Sequence, residues 1–152
     1  MLSLSNEKKY DLEDRLIEFT STIFAIIDTM NNTKAGNHIA GQIVRSGSNP
    51  ALHYGEAQSA ESRREFIHKL KILLKELRET RAALKIIKKA RLTLHAELVD
   101  IAEPECNQLI SIFMASIKTA KKNMENEQKK INHTLLLGIM ILLTIVSSFY
   151  LI

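Results

Sequence analysis

The chain has 152 residues, a formal net charge of +4 at pH 7, five Gly, two Pro and a single Cys. This length allows one domain with one core and argues against a second catalytic lobe. Few Gly and Pro among abundant Leu, Ile, Ala, Lys and Glu favour long helices over a sheet. Because Cys106 is alone, an intramolecular disulfide is excluded. We therefore predict an all-α protein that is stabilised by packing.

The charge is distributed unevenly along the chain. Residues 63–91 contain 11 Lys and Arg against three Glu, a local charge of +8. Residues 1–31 contain three basic and six acidic residues, a local charge of −3. The positive charge is therefore a patch rather than a property of the whole surface.

The first two predicted helices are joined by a short turn. Apolar residues recur at alternating steps of four and three over residues 12–30, which predicts helix one. Turn-forming residues at 31–37 interrupt this pattern and predict an antiparallel return into helix two. Pro50 lacks a backbone donor and crowds the preceding turn, so we predict a kink or break of helix two near residues 47–51.

Helix three has the clearest pattern. Residues 62–65, Ser-Arg-Arg-Glu, fit a capping box, although Ser59 could equally start the helix. Apolar residues then hold the four-three spacing from Phe66 to Ile87. We expect this stripe to be buried, with Leu73 in the core.

Helix four is predicted from Pro104 onwards, because proline is favoured at the first helical position. Residues 92–103 are either a continuation of helix three or a connecting turn. The buried stripe of helix four runs from Cys106 to Met124, with Phe113 in the core. Four facing stripes predict an antiparallel up-down four-helix bundle of residues 1–130.

Similarity to a known family extends over most of this predicted bundle. It lies in residues 42–47, 50–62, 66–72, 74–80 and 112–120. These stretches resemble the 23S rRNA intervening-sequence family of four-helix bundle proteins. The resemblance implies a ring-like homopentamer without assigned catalytic chemistry. Some relatives are encoded inside ribosomal RNA intervening sequences, and similar proteins accompany diversity-generating reverse transcriptases and bind nucleic acid.

A row of basic residues follows the face of helix three opposite its apolar stripe. The predicted nucleic-acid-binding residues are Arg64, Lys71, Lys75, Arg78, Lys85 and Lys89. His68 lies in the same row, and only Ala82 interrupts it. Such a row suits a phosphate backbone, although Lys-rich faces also serve solubility, and an acidic protein or anionic lipid would fit the same charges. Because no aromatic residue lies in the row, we expect backbone-directed, weakly sequence-selective binding.

Candidate catalytic and metal sites are sparse. Glu65 and His68 have the Glu-x-x-His spacing of di-iron bundles, but such sites need two copies and two further Glu, and His68 is predicted to point outwards. Cys106 lies on the buried stripe, which indicates a core residue rather than a reactive thiol. We therefore predict no enzymatic activity, no cofactor, no metal and no small-molecule substrate.

The C-terminal residues 131–152 are a candidate membrane anchor, and they depart from the family pattern. Residues 135–152 carry no charge, and as a helix they would extend about 27 Å, close to one hydrocarbon core. Lysines precede this segment and none follows it, which favours a cytosolic bundle. Residues 1–11 also lack the apolar core of a secretory signal.

Two functions remain open from the sequence. The first is a non-catalytic scaffold or accessory protein, homopentameric by resemblance, that binds RNA or another polyanion through helix three. The second is a tail-anchored membrane adaptor whose bundle binds a protein partner. Salt-dependent RNA binding would distinguish the first from the second.

Overall fold

The computed structural model describes residues 12–150, with side chains described through residue 147. It contains four helices: α1 (Leu12–Asp28), α2 (Lys34–Gln58), α3 (Arg63–Ala90) and α4 (Ala96–Tyr150). Each helix packs against the next, and α4 also packs against α1, so each helix of the bundle has two neighbours. The predicted all-α four-helix bundle is confirmed for these residues.

Polar contacts give the relative direction of neighbouring helices. Arg63, at the start of α3, contacts Glu127 far along α4 at 2.7 Å, whereas Lys88, near the end of α3, contacts Asp100 near the start of α4 at 2.6 Å. The order of these contacts is that of antiparallel neighbours. α2 and α3 are antiparallel for the same reason. Glu56, near the end of α2, contacts Lys69, whereas Asn49, earlier in α2, contacts Glu76, later in α3.

The core follows the predicted apolar stripes. Leu73 and Phe113 are 0 % and 1 % exposed, which confirms the phase of α3 and α4. The largest fully buried side chains are Phe113, Leu16, Ile23, Ile26, Ile43, Leu70, Leu73, Leu77, Leu84, Ile87, Leu109 and Val99. One predicted stripe residue differs, because Met124 lies beyond Ala120, the last buried residue of α4, and is 38 % exposed.

The helix starts are set by side-chain caps. Ser62 Oγ accepts a hydrogen bond from the Glu65 backbone N–H at 3.1 Å, so the predicted start of α3 is confirmed and Ser59 instead ends α2. Thr33 Oγ1 accepts from the Gly36 N–H at 3.0 Å and caps α2. The turn is therefore shorter than the predicted residues 31–37, because a cap inside it starts α2 at Lys34.

Pro50 does not interrupt α2. Of the predicted kink or break, the break is wrong, because α2 is one helix through this position. Proline removes the hydrogen bond that the Ser46 carbonyl would receive within the helix. Neighbouring helices supply contacts at this turn. Thr20 Oγ1 of α1 donates to the Gly47 carbonyl at 3.1 Å, and Thr80 Oγ1 of α3 donates to Ser46 Oγ at 3.1 Å. Packing on both sides therefore holds α2 in helical form despite the proline.

Pro104 does not start the last helix, which is a second correction. α4 begins at Ala96, and Pro104 lies inside it with its side chain exposed. The carbonyl that loses its donor belongs to Asp100, an exposed residue on the same side of the helix. Water can satisfy this carbonyl, which explains why the proline is tolerated there.

α4 continues past the bundle into the apolar tail. Ala120 is its last buried residue, and all side chains of residues 121–147 are exposed. Residues 121–132 contain no Pro or Gly that would end the helix. The predicted additional helix is thus the C-terminal part of α4, and it projects about 40 Å beyond Ala120 over the residues with described side chains.

Gly47 lies where α1 and α2 approach each other closely. A Cβ at this position would come within 2.7 Å of Ile23 Cγ2, whereas a Cβ at Gly41, also in α2, would meet nothing within 4 Å. We expect Gly47→Ala to lower the free energy of unfolding by about 1–2 kcal/mol, because overpacking outweighs the gain in helix propensity. Gly41→Ala should raise it by about 0.5–1 kcal/mol. Urea denaturation in mild detergent measures both, and equal effects would contradict the close approach.

Candidate polyanion interface

The six predicted nucleic-acid-binding residues lie on one exposed face of α3. We call them the basic row: Arg64, Lys71, Lys75, Arg78, Lys85 and Lys89. The face arises because Leu70, Leu73 and Leu77 point into the core and fix the rotation of the helix. From the first to the last residue the row extends over about 37 Å along the helix axis.

The charges of the basic row are not neutralised within the described residues. α3 forms three ion pairs with other helices, through Arg63, Lys69 and Lys88, and all three basic residues lie beside the row rather than in it. Their partners are Glu127, Glu56 and Asp100. One residue of the row contacts another helix: Arg78 Nη2 lies 3.8 Å from Met114 Sδ of α4. The row therefore keeps its positive charge facing solvent.

The flanking lysines have a different role. The hydrogen bond from Lys69 to Glu56 raises the pKa of Lys69, and the bonds from Lys69 and then His53 lower the pKa of Glu56. The hydrogen bond to Asp100 likewise raises the pKa of Lys88. These lysines stay charged and pair with acidic residues on the neighbouring helices, unlike the residues of the basic row.

The acidic residues of α3 lie mostly away from the basic row. Glu65 accepts a hydrogen bond from the Glu61 N–H at the start of the helix, at 3.2 Å. Glu76 is half-buried and accepts from Asn49 of α2 at 3.3 Å. Glu79 is exposed and follows Lys75 by four residues, which makes it the acid nearest to the row along that side. Of the three carboxylates of α3, Glu79 is therefore the one that can weaken the positive potential of the basic row.

The Glu-x-x-His spacing of Glu65 and His68 does not place the two residues in the interior. Both side chains are exposed, and His68 extends the basic row as its phase predicts. No group of three or more His, Cys, Asp or Glu that could hold a metal is found among the residues the structure describes. The arrangement offers positive charge rather than an assembled coordination sphere.

Cys106 lies in the core between α3 and α4. Its Sγ donates a hydrogen bond to the Leu77 carbonyl at 3.2 Å, and burial raises the pKa of the thiol to about 12. The raised pKa means that the thiol stays protonated at neutral pH. We expect iodoacetamide at pH 8 to leave the native protein unmodified and to label it rapidly in urea. Rapid labelling of the folded protein would contradict a buried thiol.

One set of polar contacts was not predicted. Arg15 Nη2 of α1 donates to Glu105 Oε2 at 2.8 Å and to Gln108 Oε1 at 2.7 Å, both on α4. These residues are about 90 positions apart in the sequence, so no local spacing could have indicated the contact. The contact joins the first and last helices of the bundle.

The comparisons with known proteins agree with this fold. The chain is similar to a solved protein of unknown function from the S23 ribosomal protein family of Bacteroides thetaiotaomicron. The two are 29 % identical, with a TM-score of 0.61, over 70 % of this chain and 97 % of that chain. No family model matches the sequence, and no curated protein matches it. The similarity supports a related helical fold, with a part of this chain that has no counterpart in the other protein.

Proposed function

We propose that the bundle is a non-catalytic accessory protein that binds RNA or another polyanion through the basic row. The observation that carries this proposal is a single helix face with six exposed positive residues over about 37 Å, none of them in an ion pair among the described residues. Each phosphate that such a face neutralises releases counterions, which drives binding. The similar protein belongs to a family named for a ribosomal protein, which agrees with an RNA partner.

The proposal includes self-association. The resemblance to ring-forming four-helix bundles implies a homopentamer, in which each subunit would present its own copy of the basic row. Several copies on one particle would raise the apparent affinity for a long polyanion through multivalency. Light scattering of the protein in detergent, corrected for bound detergent, measures the number of subunits. A monomer would remove this part of the proposal.

Charge reversal within the basic row tests the binding. We expect the double variant Lys71→Glu with Arg78→Glu to lose binding to an RNA oligonucleotide, because it replaces two central positive charges by negative ones. In the unchanged protein, the logarithm of the binding constant should fall with the logarithm of salt, with a slope of about −0.7 to −0.9 per phosphate contact. Fluorescence anisotropy at several salt concentrations measures both quantities.

The matched control for this experiment is Lys34→Glu with Arg45→Glu on α2. Both residues are exposed, and the double variant changes the net charge by the same amount. It should retain most of the binding, since these residues lie outside the row. If the two double variants bind RNA equally well, the basic row is not the interface. Circular dichroism confirms that each variant is folded.

A second function is favoured by a separate observation, the exposed apolar tail. Among the described residues, one helix, α4, is long and apolar enough to span a membrane, and its apolar window is not buried in the bundle. The proposal is that the tail anchors the bundle as a membrane adaptor for a protein partner. In this case the protein should sediment with membranes. Fractionation as a soluble protein without detergent would contradict the anchor.

A further inference from the structure

We propose that the basic row and the tail act together in one molecule, resting on the RNA-binding and membrane-anchoring functions proposed above. With the tail across a bilayer, the row would extend away from the membrane along its normal. It would then hold a nucleic acid that lies in solution, not lipid headgroups. The protein would tether nucleic acid to a membrane surface.

The first step of this argument is the continuity of α4. The helix runs without interruption from Ala96 to Tyr150, so it belongs to the bundle at one end and to the apolar tail at the other. α3 packs along α4 in the opposite direction. The axis of α3, and with it the basic row, is therefore aligned with the axis of the tail. The orientation of the tail in a bilayer thus sets the orientation of the row.

The second step is the distance of the row from the membrane. Arg63 contacts Glu127, which precedes Leu135 by eight residues, or about 12 Å of helix. Lys88 contacts Asp100, which precedes Leu135 by 35 residues, or about 52 Å. The row thus extends from about 12 Å to about 50 Å above the start of the apolar segment. A helix tilt of about 20° shortens these heights by less than about a tenth.

The third step is electrostatic. The polar headgroup layer adds about 5–8 Å beyond the hydrocarbon on each side, and charges are screened over about 8 Å at physiological salt. Arg64, at the end of the row nearest to the membrane, is close enough to interact electrostatically with anionic lipids. The other five residues lie well beyond this range, so their positive charge serves a partner in solution.

Other lysines are better placed for the lipid surface. Lys129 and Lys130 are exposed and lie five to six residues before Leu135, at the height of the headgroups. Because these residues can meet lipid phosphates, the basic row is not required for membrane attachment. A polyphosphate chain extending along about 37 Å of helix is the ligand that fits the row, and a nucleic acid is such a chain.

The test uses the full chain in two kinds of vesicle, phosphatidylcholine alone and phosphatidylcholine with phosphatidylserine, and a fluorescent RNA oligonucleotide as the probe. We expect RNA to float with protein-bearing vesicles of phosphatidylcholine alone. Lys85→Glu with Lys89→Glu, at the far end of the row, should reduce the floated RNA about tenfold and leave the floated protein unchanged on both vesicles. The control is again Lys34→Glu with Arg45→Glu.

The contrary outcomes are distinguishable. If the far-end variant loses affinity for phosphatidylserine vesicles instead, the row binds lipid and the inference is overturned. If RNA binds the protein in detergent micelles but not on vesicles, the inference fails and the RNA-binding function stands. If RNA binds in neither setting, the RNA-binding function itself fails. Protein that does not float with vesicles overturns the anchor, and with it this inference.

Energy transfer measures the geometry independently of RNA. A donor dye is attached to Arg64→Cys or to Lys89→Cys, both exposed positions, and the acceptor is a labelled lipid. The native thiol of Cys106 is buried and should not react. We expect strong transfer from position 64 and weak transfer from position 89, since their heights differ by about 37 Å. Equal transfer would show a bundle lying flat on the membrane and would overturn the inference.

Discussion

Replacing Phe113 by Ala is expected to lower the free energy of unfolding by about 3–5 kcal/mol. The side chain is 1 % exposed, and its ring contacts that of Tyr54 edge-on, with centroids 5.8 Å apart. The substitution removes buried apolar surface, leaves a cavity between α2 and α4, and breaks an aromatic pair worth about 0.5–1.5 kcal/mol. Leu73→Ala, at the core position predicted on α3, should cost about 2–5 kcal/mol for the same reasons of burial and cavity formation.

The adjacent residue provides the control for this prediction. Met114 is 50 % exposed, so Met114→Ala should change the free energy of unfolding by less than about 0.5 kcal/mol. Chemical denaturation in mild detergent, followed by helical circular dichroism, measures all three variants. If Phe113→Ala and Met114→Ala have the same cost, the phase of α4 is wrong.

The apolar stripes could be predicted from sequence because helical periodicity is a local property. Ile23 and Leu73 are buried, as their helical spacing from other apolar residues predicts. The two prolines could not be placed in this way. Pro50 lies within α2 because Thr20 and Thr80, on other helices, contact the turn that precedes it. Pro104 is tolerated because its side of α4 faces solvent, which the local sequence does not reveal.

The candidate site was predictable to a similar extent. The six residues of the basic row share a face because the inward leucines fix the rotation of α3, and their spacing alone shows this. Which basic residues of α3 are neutralised could not be predicted. Lys69, Lys88 and Arg63 are paired with residues on α2 and α4, up to 64 positions away in sequence. The structure therefore separates the basic residues of α3 that pair with acidic residues on other helices from those of the basic row, which do not.

Introducing two arginines into the tail, Leu142→Arg with Ile145→Arg, is expected to move the protein from membranes to the soluble fraction. Both residues lie near the middle of the uncharged segment 135–152. A charge near the centre of a bilayer costs about 2.5–3.5 kcal/mol on insertion scales, so the pair opposes insertion by about 5–7 kcal/mol. The two side chains are 61 % and 51 % exposed and lie beyond Ala120, the last buried residue of α4, so the bundle should stay folded.

The location of the added charges, rather than their number, should decide the outcome. Asn123→Arg with Gln128→Arg adds the same two charges at exposed positions of α4 before the apolar segment, and it should leave the protein in membranes. The measurement is fractionation of cells that express each variant, followed by alkaline extraction, which removes proteins that are only attached to the surface. If the tail variant remains in the extracted membranes like the control, the segment does not cross the bilayer. Because all four substituted side chains are exposed, unfolding of the bundle should not account for either result.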